Sequence, residues 1–477
     1  MRLGGAQLRE NLKRFAPLAA TVALTRGLSI VTIPIVSRYL TPSDYGQLEL
    51  ISTTLEVAGL VLSFGMADTL FRFCADTDER GRRSATAGLL GAALIGSLVI
   101  GILLQLGAFA VLNALPAIGS GTTLRIGLFA ATLTGLIELP LAWMRFRGHL
   151  RQFFCFMSLR SVAQAVTMIL TLRAGFGVGG IIAGNACVDV VIVTALVTRQ
   201  IFETGVRLDG VLIRRTLKYG APLVGGSLAM FVLGACDRWF LAANVAVAEI
   251  AFYGMAAKLS LAVSLSLQPF SMFWYARRLA VFHQPAGLER SAKAVGLGFV
   301  VLTCGALAVA VTGSLFITLA LPPSYARAAV FLPWLVAIAF LNEASSLVNV
   351  GSYLGHRTTG VMVINAAGAA IALTGYIVLV PHYGVAGAIA ATLAGQSLRF
   401  ILFALHGHKR APIPYPIPAI AWIVALALLA FAAAPPVSLV AVNVMWMIAA
   451  LAIIAGLAIR FGMLSVIGIG KASHASR

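Results

Sequence analysis

The sequence predicts an all-α polytopic membrane protein of about fourteen transmembrane helices. Three observations lead there. The 477 residues are 60% hydrophobic and only 11% charged, where soluble domains carry about 25% charged residues. Apolar runs of the roughly 20 residues a helix needs to cross a bilayer recur from end to end. Lys and Arg gather at every second connection between those runs, as cytoplasmic loops do. The net charge of +19 is therefore that of juxtamembrane cations facing anionic lipid, not of a nucleic-acid surface.

In chain order the spans read roughly 15–37, 47–67, 85–111, 122–144, 155–173, 179–199, 219–242, 251–274, 294–320, 329–354, 360–380, 384–404, 417–434 and 438–461. The first is read as an uncleaved span, because its apolar run is long and no small-residue cleavage site ends it. Glycine and other small residues inside the spans allow close helix contact. Pro34, Pro140, Pro222, Pro269 and Pro333 mark candidate bends, tolerated where neighbours or water satisfy the freed backbone groups. Cys74, Cys155, Cys187, Cys236 and Cys304 lack ligand spacing and read as small apolar packers.

Only Arg38, Arg125, Arg173 and Arg327 fall in the connections opposite the Lys/Arg-rich side, to which Arg399, Lys409 and Arg410 are assigned. This bias predicts cytoplasmic termini and an even number of spans. Short outer loops leave little room for a folded catalytic domain. The basic segment 200–218 divides the chain into an N-terminal six-helix lobe, 1–199, and a C-terminal six-helix lobe, 219–410. Residues 411–477 add two peripheral helices and a tail without buried charge. The lobes share phrases. Ala16-Pro17-Leu18 returns as Ala221-Pro222-Leu223, Arg38-Tyr39-Leu40 is echoed by Arg238-Trp239-Phe240-Leu241, and Tyr45-Gly46 by Tyr253-Gly254. Six being even, both copies enter the membrane in the same direction, as in parallel-repeat transporters.

Charges inside the spans are the candidate functional residues. A charge at mid-depth costs about 2.5–3.5 kcal/mol on insertion scales, so it faces a protein interior or a wet cavity. Arg26 stands at the middle of the first span, and Glu56 lies at matching depth in the second. Asp237 and Arg238 approach the depth of Lys258. Glu138 approaches that of Arg160, either as a staple between neighbouring helices or with Arg160 snorkelling to the inner interface. Asp189 and Glu343 stand near mid-depth with no obvious private partner. Glu343 reads either as a neutral core residue or as a proton carrier. Glu56, Asp189 and Glu343 are thus the ion-coupling candidates, and Glu138, Arg160 and Asp237 the structural ion-pair members.

Other chemistry is weakly marked. No GxxxxGK[ST] loop, HExxH or Ser-centred elbow is present, which argues against direct ATP use and against these hydrolytic sites. No cofactor or metal is expected. His406 and His408 with Lys409 and Arg410 read as a basic anchor, and the clusters Phe270–Tyr275 and Phe153–Phe154 as aromatic belts.

The stretch Arg38-Tyr39-Leu40-Thr41-Pro42-Ser43-Asp44-Tyr45-Gly46 resembles the end-of-first-span signature of polysaccharide-biosynthesis membrane proteins, the Wzx-type flippases of lipid-linked oligosaccharides. Asp237-Arg238-Trp239-Phe240-Leu241, with Phe252-Tyr253-Gly254 and Lys258-Leu259, is similar to their seventh- and eighth-span signature. The likeness in layout runs over about residues 10–410. It places the chain in the superfamily of multidrug/toxin exporters and the peptidoglycan-precursor flippase, whose branch the extra pair of spans resembles. The implied fold is two six-helix lobes in a V around a cationic central cavity. The implied cargo is a sugar repeat unit on a polyprenyl pyrophosphate, moved across the bacterial inner membrane for O-antigen, capsule or exopolysaccharide assembly. Membrane lipids and other polysaccharide assembly proteins are the implied partners. Arg26, Arg38, Arg238 and Lys258 would then bind substrate, offsetting the lost hydration of its phosphates. A cation-coupled drug or metabolite antiporter and a membrane glycan polymerase or ligase are the alternatives.

Overall fold

The computed structural model describes residues 20–463 except 22, 23, 26, 64, 76, 276, 283, 285, 355–358 and 437. The described residues form helices joined by short turns, with no strand among them. α1 (Gly27–Tyr39) leads into α2 (Pro42–Ser63). The start of α2 is written in its sequence. The Thr41 hydroxyl accepts the Asp44 N–H at 3.2 Å, and the Asp44 carboxylate accepts the Thr41 hydroxyl at 2.7 Å and N–H at 3.3 Å. This is a reciprocal capping box. Pro42 takes the first helical position, where no partner for an N–H is needed.

Gly65, at φ 57°, turns the chain from α2 into α3 (Met66–Ala75). Asp78 caps α4 (Glu79–Ala114) by accepting the Gly81 N–H at 2.9 Å. Ser120 caps α5 (Gly121–Thr132) by accepting that of Thr123 at 3.3 Å. One offset residue, Leu133, separates α5 from α6 (Thr134–Phe146). α7 (Leu150–Arg173) and α8 (Gly177–Thr204) form a hairpin about Ala174, Gly175 and Phe176. Leu70, Leu89, Leu139, Trp143 and Leu196 from these helices are fully buried in one core.

The segment 200–218, expected as a linker, is largely helical. α8 runs to Thr204, and α9 (Gly210–Gly234) begins where Asp209 accepts the N–H groups of Val211 and Leu212 at 3.0 and 3.1 Å. The apolar stretch 219–242 is not one helix either, because α9 stops at Gly234 and a short α10 (Asp237–Asn244) follows. α11 (Val247–Tyr275), α12 (Arg278–Phe282), α13 (Gly287–Ala320) and α14 (Ala328–Val348) come next. α15 (Thr359–Arg410) is interrupted at Gly384, whose φ of 54° and ψ of −127° are not helical. Its two halves meet through glycine: a Cβ on Gly368 would lie 3.0 Å from the Gly395 carbonyl oxygen. α16 (Ile417–Ala432) and α17 (Val440–Arg460) pack Ile423, Ala427, Ile454 and Ala458 on Val300, Leu307 and Val311 of α13.

Eleven helices among the described residues are long and apolar enough to cross a membrane, against fourteen expected. The difference arises at three places. The first expected span begins outside the described residues, Ile417–Ala432 is apolar but short, and Thr359–Arg410 is counted once although it breaks at Gly384. Interruptions within apolar stretches fall at Gly65, Leu133, Ala235–Cys236 and Gly384, while α6, α9, α11 and α14 run through Pro140, Pro222, Pro269 and Pro333. Two compact units result. The first comprises Met1–Phe231 with Val245–Ala251, the second Val232–Asn244 with Phe252–Arg477. Tyr45 early in α2 and Tyr253 early in α11, the paired positions of the expected repeat, are both buried. Pro17, the repeat partner of Pro222, lies outside the described residues.

Candidate functional site

Three hydrogen-bonded groups form around charged residues inside the spans. In the first unit, Arg160 of α7 donates through Nε to Asp189 Oδ1 at 2.7 Å and through Nη2 to Oδ2 at 3.0 Å. Gln164, one turn on, adds a bond to Oδ1 at 3.0 Å. The expectations that Arg160 pairs with Glu138, and that Asp189 has no private partner, are both corrected. The cause is the start of α7. It begins at Leu150 rather than near residue 155, which raises Arg160 to a level nearly equidistant with Asp189 from the α7–α8 turn. A two-toothed Arg–carboxylate fork is the strongest form of such a pair. Glu138 is half-buried in α6, and Glu56 is exposed on α2.

The second group, in the second unit, is built on the later signature. Asp237 is 2% exposed at the first residue of α10. It accepts a hydrogen bond from the Tyr253 hydroxyl of α11 and lies 3.3 Å from Arg238 Nη1. The Arg238 guanidinium, itself 7% exposed as a residue, stands 5.6 Å from the Tyr253 ring centroid. Phe240 packs on Tyr376 of α15, and the Tyr376 hydroxyl contacts Thr392 Oγ1 at 2.8 Å and the Val232 carbonyl at 3.2 Å. The break between α9 and α10 thus ends in an ion pair buried among aromatic rings. Lys258 is half-buried further along α11.

The third group joins α11, α14 and α15. Glu343 Oε1 accepts Ser264 Oγ at 2.7 Å and Asn342 Nδ2 at 3.3 Å. Asn342 Oδ1 in turn accepts Arg399 Nη1 at 2.8 Å. Arg399 also donates to Asn365 Oδ1 at 2.9 Å and Gln396 Oε1 at 3.1 Å, so three side-chain amides carry its charge. The assignment of Arg399 to an inner loop is corrected: it is 5% exposed and lies well inside α15, which continues to Arg410 rather than ending near 404. Asn342, Asn365 and Gln396 went unnoticed in the sequence, although four amide or charged side chains on neighbouring apolar helices are themselves a signal. Chemically, Asn342 links an acid to a cation without direct contact, so a change of charge at Glu343 alters the field at Arg399.

Arg38 is exposed at the end of α1, and Arg26 lies outside the described residues. The aromatic clusters at 153–154 and 270–275 receive arginines. Arg145 stands 5.5 Å from the Phe153 ring, and Arg278 stands 4.9 Å from both Tyr275 and Tyr353 while donating to Asn349 at 2.9 Å. Burial pushes the Arg278 guanidinium down, and the two tyrosines partly restore it.

Fold and buried charge together define the class: a multi-pass membrane protein whose spans hold ion pairs and amide-bound cations. The chain belongs to the polysaccharide biosynthesis protein family, whose model matches residues 12–275 and takes in both signatures. That bears out the resemblance read from residues 38–46 and 237–259. In fold the chain is similar to "Lipid II flippase MurJ, inward closed conformation", with a TM-score of 0.73 and 11% identity over 94% of this chain and 99% of that one. It is also similar to an inward-facing multidrug resistance MATE family transporter of the MOP superfamily, with a TM-score of 0.60 and 16% identity over 86% and 99%. At these identities the likeness is one of fold. Comparison with curated protein sequences gives no significant match.

Proposed function

We propose that this protein moves a polyprenyl-pyrophosphate-linked oligosaccharide repeat unit across the bacterial inner membrane by alternating access, supplying O-antigen, capsule or exopolysaccharide assembly. The observation that carries the reading is membership of the polysaccharide biosynthesis family in a chain whose spans keep arginines at positions where charge is costly. A pyrophosphate entering hydrocarbon loses its hydration, and fixed guanidinium groups replace it with charge-assisted hydrogen bonds. Arg26 is the primary pyrophosphate ligand in this proposal, with Arg38, Arg238 and Lys258 as supporting cations. Glu343 is the favoured ion-coupling group of the three candidates, since Asp189 is committed to Arg160. The domains follow the expected boundaries, both termini face the cytoplasm, and other polysaccharide assembly proteins receive the product.

Variants of Arg26 test the site. Arg26→Ala abolishes glycan export at near-normal protein abundance, and Arg26→Lys retains part of it because the charge survives while the planar fork is lost. Recovery of export in the double variant Arg26→Ala/Glu56→Ala would show Arg26 to be only a staple for Glu56 and would sink the substrate-site assignment. Orientation has its own check. A cysteine at Leu208, which is 68% exposed between α8 and α9, escapes an impermeant thiol reagent added from outside the cell. Efficient labelling there contradicts the topology.

A further inference from the structure

The first signature lines a cavity that the proposed pyrophosphate site does not use. It holds about 370 Å³ within the first unit, where the α1–α2 turn, the turn before α5 and the α7–α8 turn come together. These are the connections with few cations, so under the proposed topology the cavity opens to the outer side. Its volume falls in the range of small-molecule sites.

The lining has a definite chemistry. Tyr39 is 47% exposed and brings an aromatic ring to the cavity. Asp44 spends Oδ2 on Thr41, while Oδ1 accepts no bond among the described residues. The Gln47 amide, a donor and an acceptor, has no hydrogen-bond partner among the described residues and lies beside Gly119. Thr123, more than nine-tenths buried, gives its N–H to Ser120, while its hydroxyl makes no bond among the described residues. Gly175, Gly177 and Gly179 contribute backbone to the wall, two of them at positive φ of 80° and 54°, and Leu40, Ile51, Ile118, Leu172 and Val178 supply its apolar part.

That inventory excludes two ligand classes. No Lys or Arg lines the cavity, so a phosphate has nothing to neutralise it. One carboxylate is too few for a dedicated hard-cation cage. A ligand bearing several hydroxyl groups, which both donate and accept, matches the uncommitted carboxylate oxygen, amide and hydroxyl. The apolar C–H face of a sugar ring matches Tyr39. We infer that this cavity at the Arg38–Gly46 signature is a second, glycan-binding site that holds a neutral pyranose residue of the transported repeat unit on the outer side. The inference rests on the proposed cargo for its biological role, but the binding itself does not.

The test uses the full-length protein in nanodiscs, with saturation-transfer NMR against glucose, galactose, N-acetylglucosamine, rhamnose and glucuronate. At least one neutral pyranose binds at millimolar concentration. Gln47→Leu weakens it about tenfold by leaving sugar hydroxyls unmatched. This variant is chosen because the Gln47 amide bonds nothing among the described residues, so its removal spares the fold. Gly179→Leu, at a helical glycine facing Thr123, fills the cavity and removes binding altogether. Absence of pyranose binding to the wild-type protein, or equal binding by wild type and both variants, overturns the inference. So does a preference for glucuronate alone, which would require a cation the lining lacks. None of these outcomes touches the pyrophosphate reading, which stands or falls on export by the Arg26 variants.

Discussion

The two signature stretches echo each other in sequence yet are used differently. In the first, Thr41 and Asp44 satisfy each other at the start of α2, Arg38 is exposed, and Tyr39 and Asp44 border a cavity. In the second, Asp237 and Arg238 are buried, and Asp237 reaches across to Tyr253 on another helix. The aspartates therefore do local work in one unit and long-range work in the other. A motif identifies the family, but burial determines what each copy of it does.

The contrast should appear first as stability. Asp237→Ala removes the carboxylate beside a buried guanidinium and the acceptor of Tyr253, so it should destabilise the detergent-solubilised protein by about 3–5 kcal/mol. Asp237→Asn, which keeps an acceptor, should lose less. If both variants unfold at the wild-type temperature, the second signature is no more structural than the first. Gly46→Ala should cost about 1–3 kcal/mol, because a Cβ there would sit 2.0 Å from the Val247 carbonyl oxygen and the backbone has to shift. Asp44→Ala removes only a cap and should cost about 1 kcal/mol, with Asp44→Asn nearly neutral. A larger loss at Asp44 than at Asp237 reverses the comparison.

Asp189 separates burial from motif, since it is buried and paired but lies in neither signature. A double-mutant cycle on Arg160→Ala and Asp189→Ala should give an interaction energy on the order of 1–3 kcal/mol. An interaction energy near zero would leave the two-toothed geometry without energetic weight.

Much of this could be read from the chain. Apolar runs fixed the fold class, whereas the start of α2 at Pro42 precedes its expected span, 47–67, although the Thr41-Pro42-Ser43-Asp44 phrase carries the cap. The two misplaced arginines share one cause. Hydropathy reports the thickness of hydrocarbon, whereas helices continue past it. α7 begins before its apolar run and α15 ends after its own, which displaced Arg160 and Arg399 in the depth estimates. The boundary at Gly384 was legible as the gap between the expected spans 360–380 and 384–404. The break at Gly65 was not, because no proline marks it, yet a glycine at φ 57° interrupts a helix as effectively. The amides around Arg399 carry no charge and so leave no mark in the charge pattern, yet three neutral oxygens hold this guanidinium.

Transport itself is the claim to be measured. Purified protein is reconstituted with a polyprenyl-pyrophosphate oligosaccharide whose terminal sugar is a substrate for an impermeant glycan oxidase, and the oxidase is added outside the vesicles. The account predicts that the protected inner half of the glycan becomes accessible with wild-type protein, remains protected with Arg26→Ala, and becomes accessible more slowly with Arg26→Lys. Protection that persists with active wild-type protein, in vesicles where a cationic dye is exchanged instead, would contradict it and assign the chain to drug antiport.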